Sequence, residues 1–128
     1  IRKFENQGTR NIPLEIGINA AIEFHEKIGI ERKYERLYFL KQYWVERVKN
    51  LPGIQIYCPE EKAFSGALTA FGIEGKTGND ISSALMQNAK IHTTTIAIEG
   101  IDACRITPNV FTSLAEMDLL VAEIGKLV

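Results

Sequence analysis

The sequence predicts an α+β domain, a small and largely antiparallel sheet with helices packed on one face. Three observations carry that prediction. Apolar residues recur at helical spacing in two N-terminal segments, and the period then falls to two in short β-branched runs. The resulting order, α, α, β, β, α, β, β, α, sets two hairpin-like strand pairs on either side of a helix.

Residues 1–10 show no clear period. Asn11 offers a side-chain oxygen as N-cap, and Pro13 suits a first helical turn. Leu14, Ile18, Ala21, Ile22 and His25 follow on one face, and Gly29 supplies a stop. A second helix is expected from about Glu31 to Asn50, with Tyr34, Leu37, Tyr38, Trp44, Val45 and Val48 as its apolar stripe and Arg, Lys and Glu opposite. Leu51-Pro52-Gly53 ends it. Ile54, Ile56 and Cys58 alternate with Gln55 and Tyr57 as a strand closed by Pro59. A second strand is expected within Ala67–Ile73, and a helix over about Ile81–Lys90 capped by Asn79 or Asp80. The Thr- and Ile-rich run from Ile91 to Ile98 reads as a strand. Glu99-Gly100 turns the chain into Ala103–Thr107, which Pro108 terminates. Ser113 and Glu116 form a capping box for a last helix carrying Leu114, Met117, Leu120, Val121, Ile124 and Leu127 on one face.

With 128 residues the chain is long enough for one compact core. Fifteen Lys and Arg against sixteen Asp and Glu give a net charge of −1, which leaves no basic footprint for nucleic acid or an anionic membrane. No apolar run approaches the roughly 18 residues that a membrane span requires. The only two Cys and two His are widely spaced, with neither a CxxC nor a paired His spacing, so no metal is expected. Cys58 and Cys104 could pair as a disulfide, but they read first as two buried free thiols of a reducing, cytoplasmic compartment. The start at Ile1-Arg2-Lys3-Phe4 lacks a signal-peptide layout and looks like the interior of a longer chain.

Arg105 is the most informative single residue. Strand alternation puts it on one face with Ala103 and Thr107, while Cys104 and Ile106 take the other. A guanidinium among small residues at a strand end suits a carboxylate through two parallel hydrogen bonds. An internal ion pair would use the same residue structurally. Gly8-Thr9-Arg10-Asn11, just before a helix, offers a turn, a hydroxyl and backbone N–H groups that suit either a phosphate or an ordinary helix cap. His92 lies beside Thr93 and Thr94, whereas His25 lies among apolar positions, and neither has a sequence partner for a proton relay. Gly75-Lys76-Thr77-Gly78 lacks the glycine spacing of a phosphate loop.

Three passages together resemble one family. Phe4-Glu5-Asn6-Gln7-Gly8-Thr9-Arg10-Asn11 is similar to the "GTRD" stretch of class V aminotransferase-like enzymes, particularly isopenicillin N epimerase-like members within the cysteine desulfurase superfamily. Ala103-Cys104-Arg105-Ile106-Thr107-Pro108-Asn109-Val110-Phe111-Thr112, followed by Glu116-Met117-Asp118, resembles their closing "RIS-P-x-x-Y-N-T…E-E-x-D" pattern. Leu51-Pro52-Gly53-Ile54 resembles the "LPGV" that opens the family's small-domain sheet. Three departures stand out: Asn11 replaces an Asp, Phe111 a Tyr, and Thr107 a Ser.

The resemblance implies a fold type I enzyme dependent on pyridoxal 5′-phosphate (PLP). Residues 1–29 would end the large domain with its last helix, and residues 30–128 would form the C-terminal small domain. Arg105 would bind the α-carboxylate of an amino-acid substrate. Thr9, with Gly8, would reach the cofactor phosphate of the neighbouring subunit in a homodimer. The resemblance places the Schiff-base lysine, the acidic partner of the pyridine nitrogen and the stacking aromatic upstream of Ile1, so no catalytic residue is expected here and the isolated piece is expected to be inactive. A non-catalytic small-molecule-binding module, or a dimerisation domain with Arg105 paired internally, is the alternative.

Overall fold

The computed structural model describes Gly8 and residues 11–128. The chain divides into two compact units, one ending at Lys33 and the other running from Tyr34 to Val128. Helix α1 (Ile12–Ile28) lies in the first. Pro sits in its first turn, while the Asn11 side chain makes no cap hydrogen bond, so that expected contribution is absent. Gly29, with φ +86°, ends the helix as its position predicts. The expected apolar face does form on α1, but it is not buried: Leu14, Ile18 and Ile22 are all exposed.

The second unit holds most of helix α2 (Ile30–Val48), strand β1 (Ile54–Tyr57), strand β2 (Thr69–Ile73), helix α3 (Gly78–Ala89), strands β3 (Thr94–Ile98) and β4 (Ile101–Ile106), and helix α4 (Leu114–Leu127). A single 3₁₀ turn, Lys62–Phe64, lies between β1 and β2. The four strands form one antiparallel sheet in the order β1-β2-β4-β3. Strand β4 is therefore interior, paired through Phe71↔Cys104 on one side and Thr95↔Cys104 on the other. Glu99 and Gly100, both at positive φ, make the two-residue turn that joins β3 to β4 with Ile98 opposite Ile101.

Alternation then sorts the side chains. Ile54, Ile56, Phe71, Ile73, Cys104 and Ile106 face the helices and join their core. Trp44 and Phe71, both fully buried, meet edge to face with ring centroids 5.7 Å apart. Helix α2 adds Leu40, Val45 and Val48, α3 adds Ile81 and Leu85, and α4 adds Met117, Leu120 and Ile124. This is the α+β layer that the alternating periods predict.

Two local readings are corrected. Helix α3 begins three residues before the expected Ile81 because Thr77, not Asn79 or Asp80, is its N-cap. The Thr77 hydroxyl accepts from the Asp80 N–H at 3.1 Å, and the Asp80 carboxylate accepts from the Thr77 N–H at 3.0 Å. The Thr77 hydroxyl also donates to the Asp80 carboxylate at 2.7 Å, and that bond, followed by the one from the Thr77 N–H, holds the Asp80 carboxyl below its ordinary value. Strand β3 begins at Thr94 instead of Ile91. The Ile91 N–H is taken by the Leu85 carbonyl at the end of α3, after Lys90 has turned into the left-handed region at φ 58°. The Ser113–Glu116 capping box of α4 forms as expected.

Candidate functional site

Arg105 occupies the penultimate position of the interior strand β4, with Ala70 and Thr94 as its cross-strand neighbours. It points away from the helices, on the face that also carries Tyr57, Ala70, Gly72 and Ala103. Ala70, Gly72 and Ala103 are buried and Arg105 is half-buried. Its Nε is buried without a hydrogen-bond partner, and its side chain makes no hydrogen bond or ion pair with any other described residue. A guanidinium carries five N–H donors, and leaving one of them buried and unmatched costs about 1–3 kcal/mol. The group is therefore placed to receive an anion, and a carboxylate matches its planar fork.

The strand beneath Arg105 is held from both ends. Gly78, at the start of α3, donates its N–H to the Asp102 carboxylate at 2.7 Å. A Cβ at Gly78 would lie 2.4 Å from the Ala103 carbonyl oxygen, so only glycine lets α3 approach β4 this closely. Beyond the strand, Thr112 and Asn109 close a tight loop, with Thr112 N–H donating to the Asn109 carbonyl at 2.9 Å. Arg36 of α2 ties that loop down by donating to the Thr112 carbonyl at 2.9 Å. Phe111 projects from it into solvent. The α3 terminus also explains why Gly75-Lys76-Thr77-Gly78 is no phosphate loop: the Thr77 and Gly78 amides already serve the carboxylates of Asp80 and Asp102.

Thr9 lies outside the described residues. Gly8 is exposed with φ +77°, in the left-handed region that favours glycine. His92 is exposed and lines two shallow concavities, of 320 and 300 Å³, neither of which includes Arg105. His25, expected on an apolar face, is exposed and its Nδ1 lies 3.2 Å from Lys33 Nζ. A wider groove of 680 Å³, bounded by Gln55, Tyr57, Gly72, Lys76 and Asp102, lies further along the same face of the sheet and does not include Arg105 either. Among the described residues no cluster of His, Cys, Asp and Glu could hold a metal ion, and no helix is long and apolar enough to cross a membrane.

Both cysteines are free thiols, but only Cys104 is buried. Cys58 is half-buried and sits against Lys41, a residue that the sequence pattern assigns to the polar face of α2 and that is in fact 3% exposed. The signal was present in the spacing: Leu37, Lys41, Trp44, Val45 and Val48 share one helical stripe, and position 41 falls inside it.

The chain, this interior strand included, matches a known family. Residues 2–107 match the model of the aminotransferase class-V family, and the chain belongs to that family, whose members use PLP. It is 36% identical over 83 residues to a probable cysteine desulfurase of Halalkalibacterium halodurans, an alignment covering 65% of this chain and 20% of that protein. It is 32% identical over 71 residues to the isopenicillin N epimerase of Amycolatopsis lactamdurans, covering 56% and 18%. The fold is that of the apo cysteine desulfurase of Thermococcus onnurineus NA1, with a TM-score of 0.85 at 24% identity over 94% of this chain and 32% of that one. The chain thus spans about a third or less of the length of these relatives.

Proposed function

We propose that this chain is the C-terminal, substrate-side part of a PLP-dependent class V enzyme that acts on an amino acid. The observation that carries the reading is Arg105, a half-buried guanidinium on an interior strand with an orphaned Nε and no partner among the described residues. That feature also favours a ligand site over the dimerisation alternative, in which Arg105 would be paired internally. Arg105 holds the substrate α-carboxylate through two hydrogen bonds, and this fixed grip sets the orientation of the bonds at the α-carbon. Gly8 and Thr9 hold the cofactor phosphate of the neighbouring subunit in a homodimer. PLP, when bound, supplies an electron sink for cleavage at the α-carbon.

The large domain of the same polypeptide is the natural cover for α1. That helix exposes Ile12, Leu14, Ile16, Ile18, Ile22 and Phe24, far more apolar surface than a solvent-facing helix carries. The chain by itself is inactive in this reading. The two free thiols suit a reducing, cytoplasmic setting.

The test uses the longer PLP-loaded polypeptide and two probes that differ by one carboxylate, L-alanine and ethylamine. L-Alanine is expected to bind about 10- to 100-fold more tightly, the range of a charge-assisted pair. Equal affinities would overturn the proposal.

A further inference from the structure

Lys41 is buried on α2, yet among the described residues it makes no ion pair with a carboxylate. Its ammonium donates to the Ser65 hydroxyl, to Cys58 Sγ at 3.0 Å and to the Pro59 carbonyl at 3.3 Å. A buried ammonium is stable only beside an anion or a full set of acceptors, and Cys58 is the one group touching it that can become an anion. Thr69 adds a second, independent feature. It is fully buried, its Oγ1 has no hydrogen-bond partner, and it precedes Ala70, which pairs with Tyr57, the residue before Cys58.

The sulfur is also accessible. Cys58 and Lys41 together line a cleft of 240 Å³ with Val45, Ile56, Pro59 and Glu60. Partial burial pushes the Cys58 thiol up, but the contacts from Lys41 and Ser65, the neighbouring Thr69 hydroxyl and the Lys41 charge outweigh it and hold the thiol below its usual value. Cys104 is the opposite case, a buried thiol that burial pushes up.

We propose that Cys58 is a nucleophilic cysteine activated by Lys41, and that it is a site of reversible modification by small-molecule disulfides. The Cys58 sulfur attacks one sulfur of the disulfide. The new S–S bond forms as the old one breaks, and the departing thiolate takes a proton from solvent. Cys58 is oxidised and the departing half of the disulfide is reduced, so no further oxidant is needed. The inference stands apart from the PLP reading, because Cys58 is on the helix-facing side of the sheet and Arg105 is not.

The experiment exposes the 128-residue chain to oxidised glutathione and follows both cysteines by mass spectrometry across pH. The charged groups facing Cys58 are Lys41, Glu46 and Lys49 from α2 and Glu60 from the loop, and only Lys41 bonds to the sulfur. Cys58 is expected to react at least about tenfold faster than Cys104 near neutral pH, with a rate midpoint below that of a free cysteine peptide. Lys41→Met is expected to slow Cys58 by about five- to tenfold near neutrality and to raise its midpoint. A midpoint equal to that of the free peptide, or equal reactivity of the two cysteines, would overturn the proposal. Ultraviolet absorbance of the thiolate, with a Cys58→Ser variant subtracted, reads the same titration without any change at Lys41. A step at or above the free-peptide midpoint would contradict it.

Discussion

Arg105→Ala in the PLP-loaded longer enzyme is expected to weaken L-alanine binding by about 10- to 100-fold, while ethylamine binding and PLP content stay unchanged. The size follows from the geometry. Two parallel N–H···O bonds to a charged carboxylate are lost, and nothing else among the described residues can replace them, since no second arginine or lysine pairs with that face of β4. The selectivity follows as well. Ethylamine has no carboxylate, so truncating its absent partner changes nothing, and the variant should bind the two probes about equally. Folding should be nearly unaffected, because Arg105 makes no side-chain bond to other described residues. Arg105→Lys would keep the charge but lose the fork, and should fall between the two. An Arg105→Ala enzyme that still preferred L-alanine would assign the carboxylate to another residue.

Gly78→Ala is expected to destabilise the chain by about 2–4 kcal/mol in urea unfolding. The added methyl would stand 2.4 Å from the Ala103 carbonyl oxygen, 2.8 Å from its carbon and 2.9 Å from the Asp102 carboxylate. Two of those atoms are backbone of an interior strand and cannot rotate away. Relief requires α3 to withdraw from β4, which would stretch the Gly78 N–H to Asp102 bond and open the contact that Ile81 and Leu85 make with the core. A loss below about 0.5 kcal/mol, the usual range for neutral surface changes, would show that the close approach is not a constraint. The effect is one of space, since Gly78 is not at positive φ.

The layer architecture was legible because its carriers are periodic. Ile54 and Ile56 alternate, Trp44, Val45 and Val48 recur on one face, and Ser113 with Glu116 marks a helix start, all features set by backbone geometry. Arg105 was legible for the same reason, because alternation alone separates it from Cys104 and Ile106. What escaped were contacts fixed by tertiary approach. Nothing local shows that Asp102 would meet the Gly78 amide across 24 positions. Thr77, Asn79 and Asp80 are all good capping types, and which of them caps depends on where α3 meets β4. Lys41 was assigned by charge although its spacing put it in the apolar stripe, and its burial depends on the Cys58, Pro59 and Ser65 acceptors that another segment brings. The expected face of α1, Leu14, Ile18 and Ile22, is apolar but exposed, and Ile12, Ile16 and Phe24 extend it round the helix, so helical spacing announces a partner without naming it.

The most direct test of the central claim is spectroscopic. The longer polypeptide proposed to carry this chain would be purified, its near-ultraviolet and visible absorbance recorded before and after borohydride, and any reduced PLP–lysine adduct located by mass spectrometry. The account predicts a visible band that borohydride abolishes, with the adduct on a lysine outside residues 1–128. Absence of any such band after added PLP, or an adduct on a lysine within this chain, would contradict it.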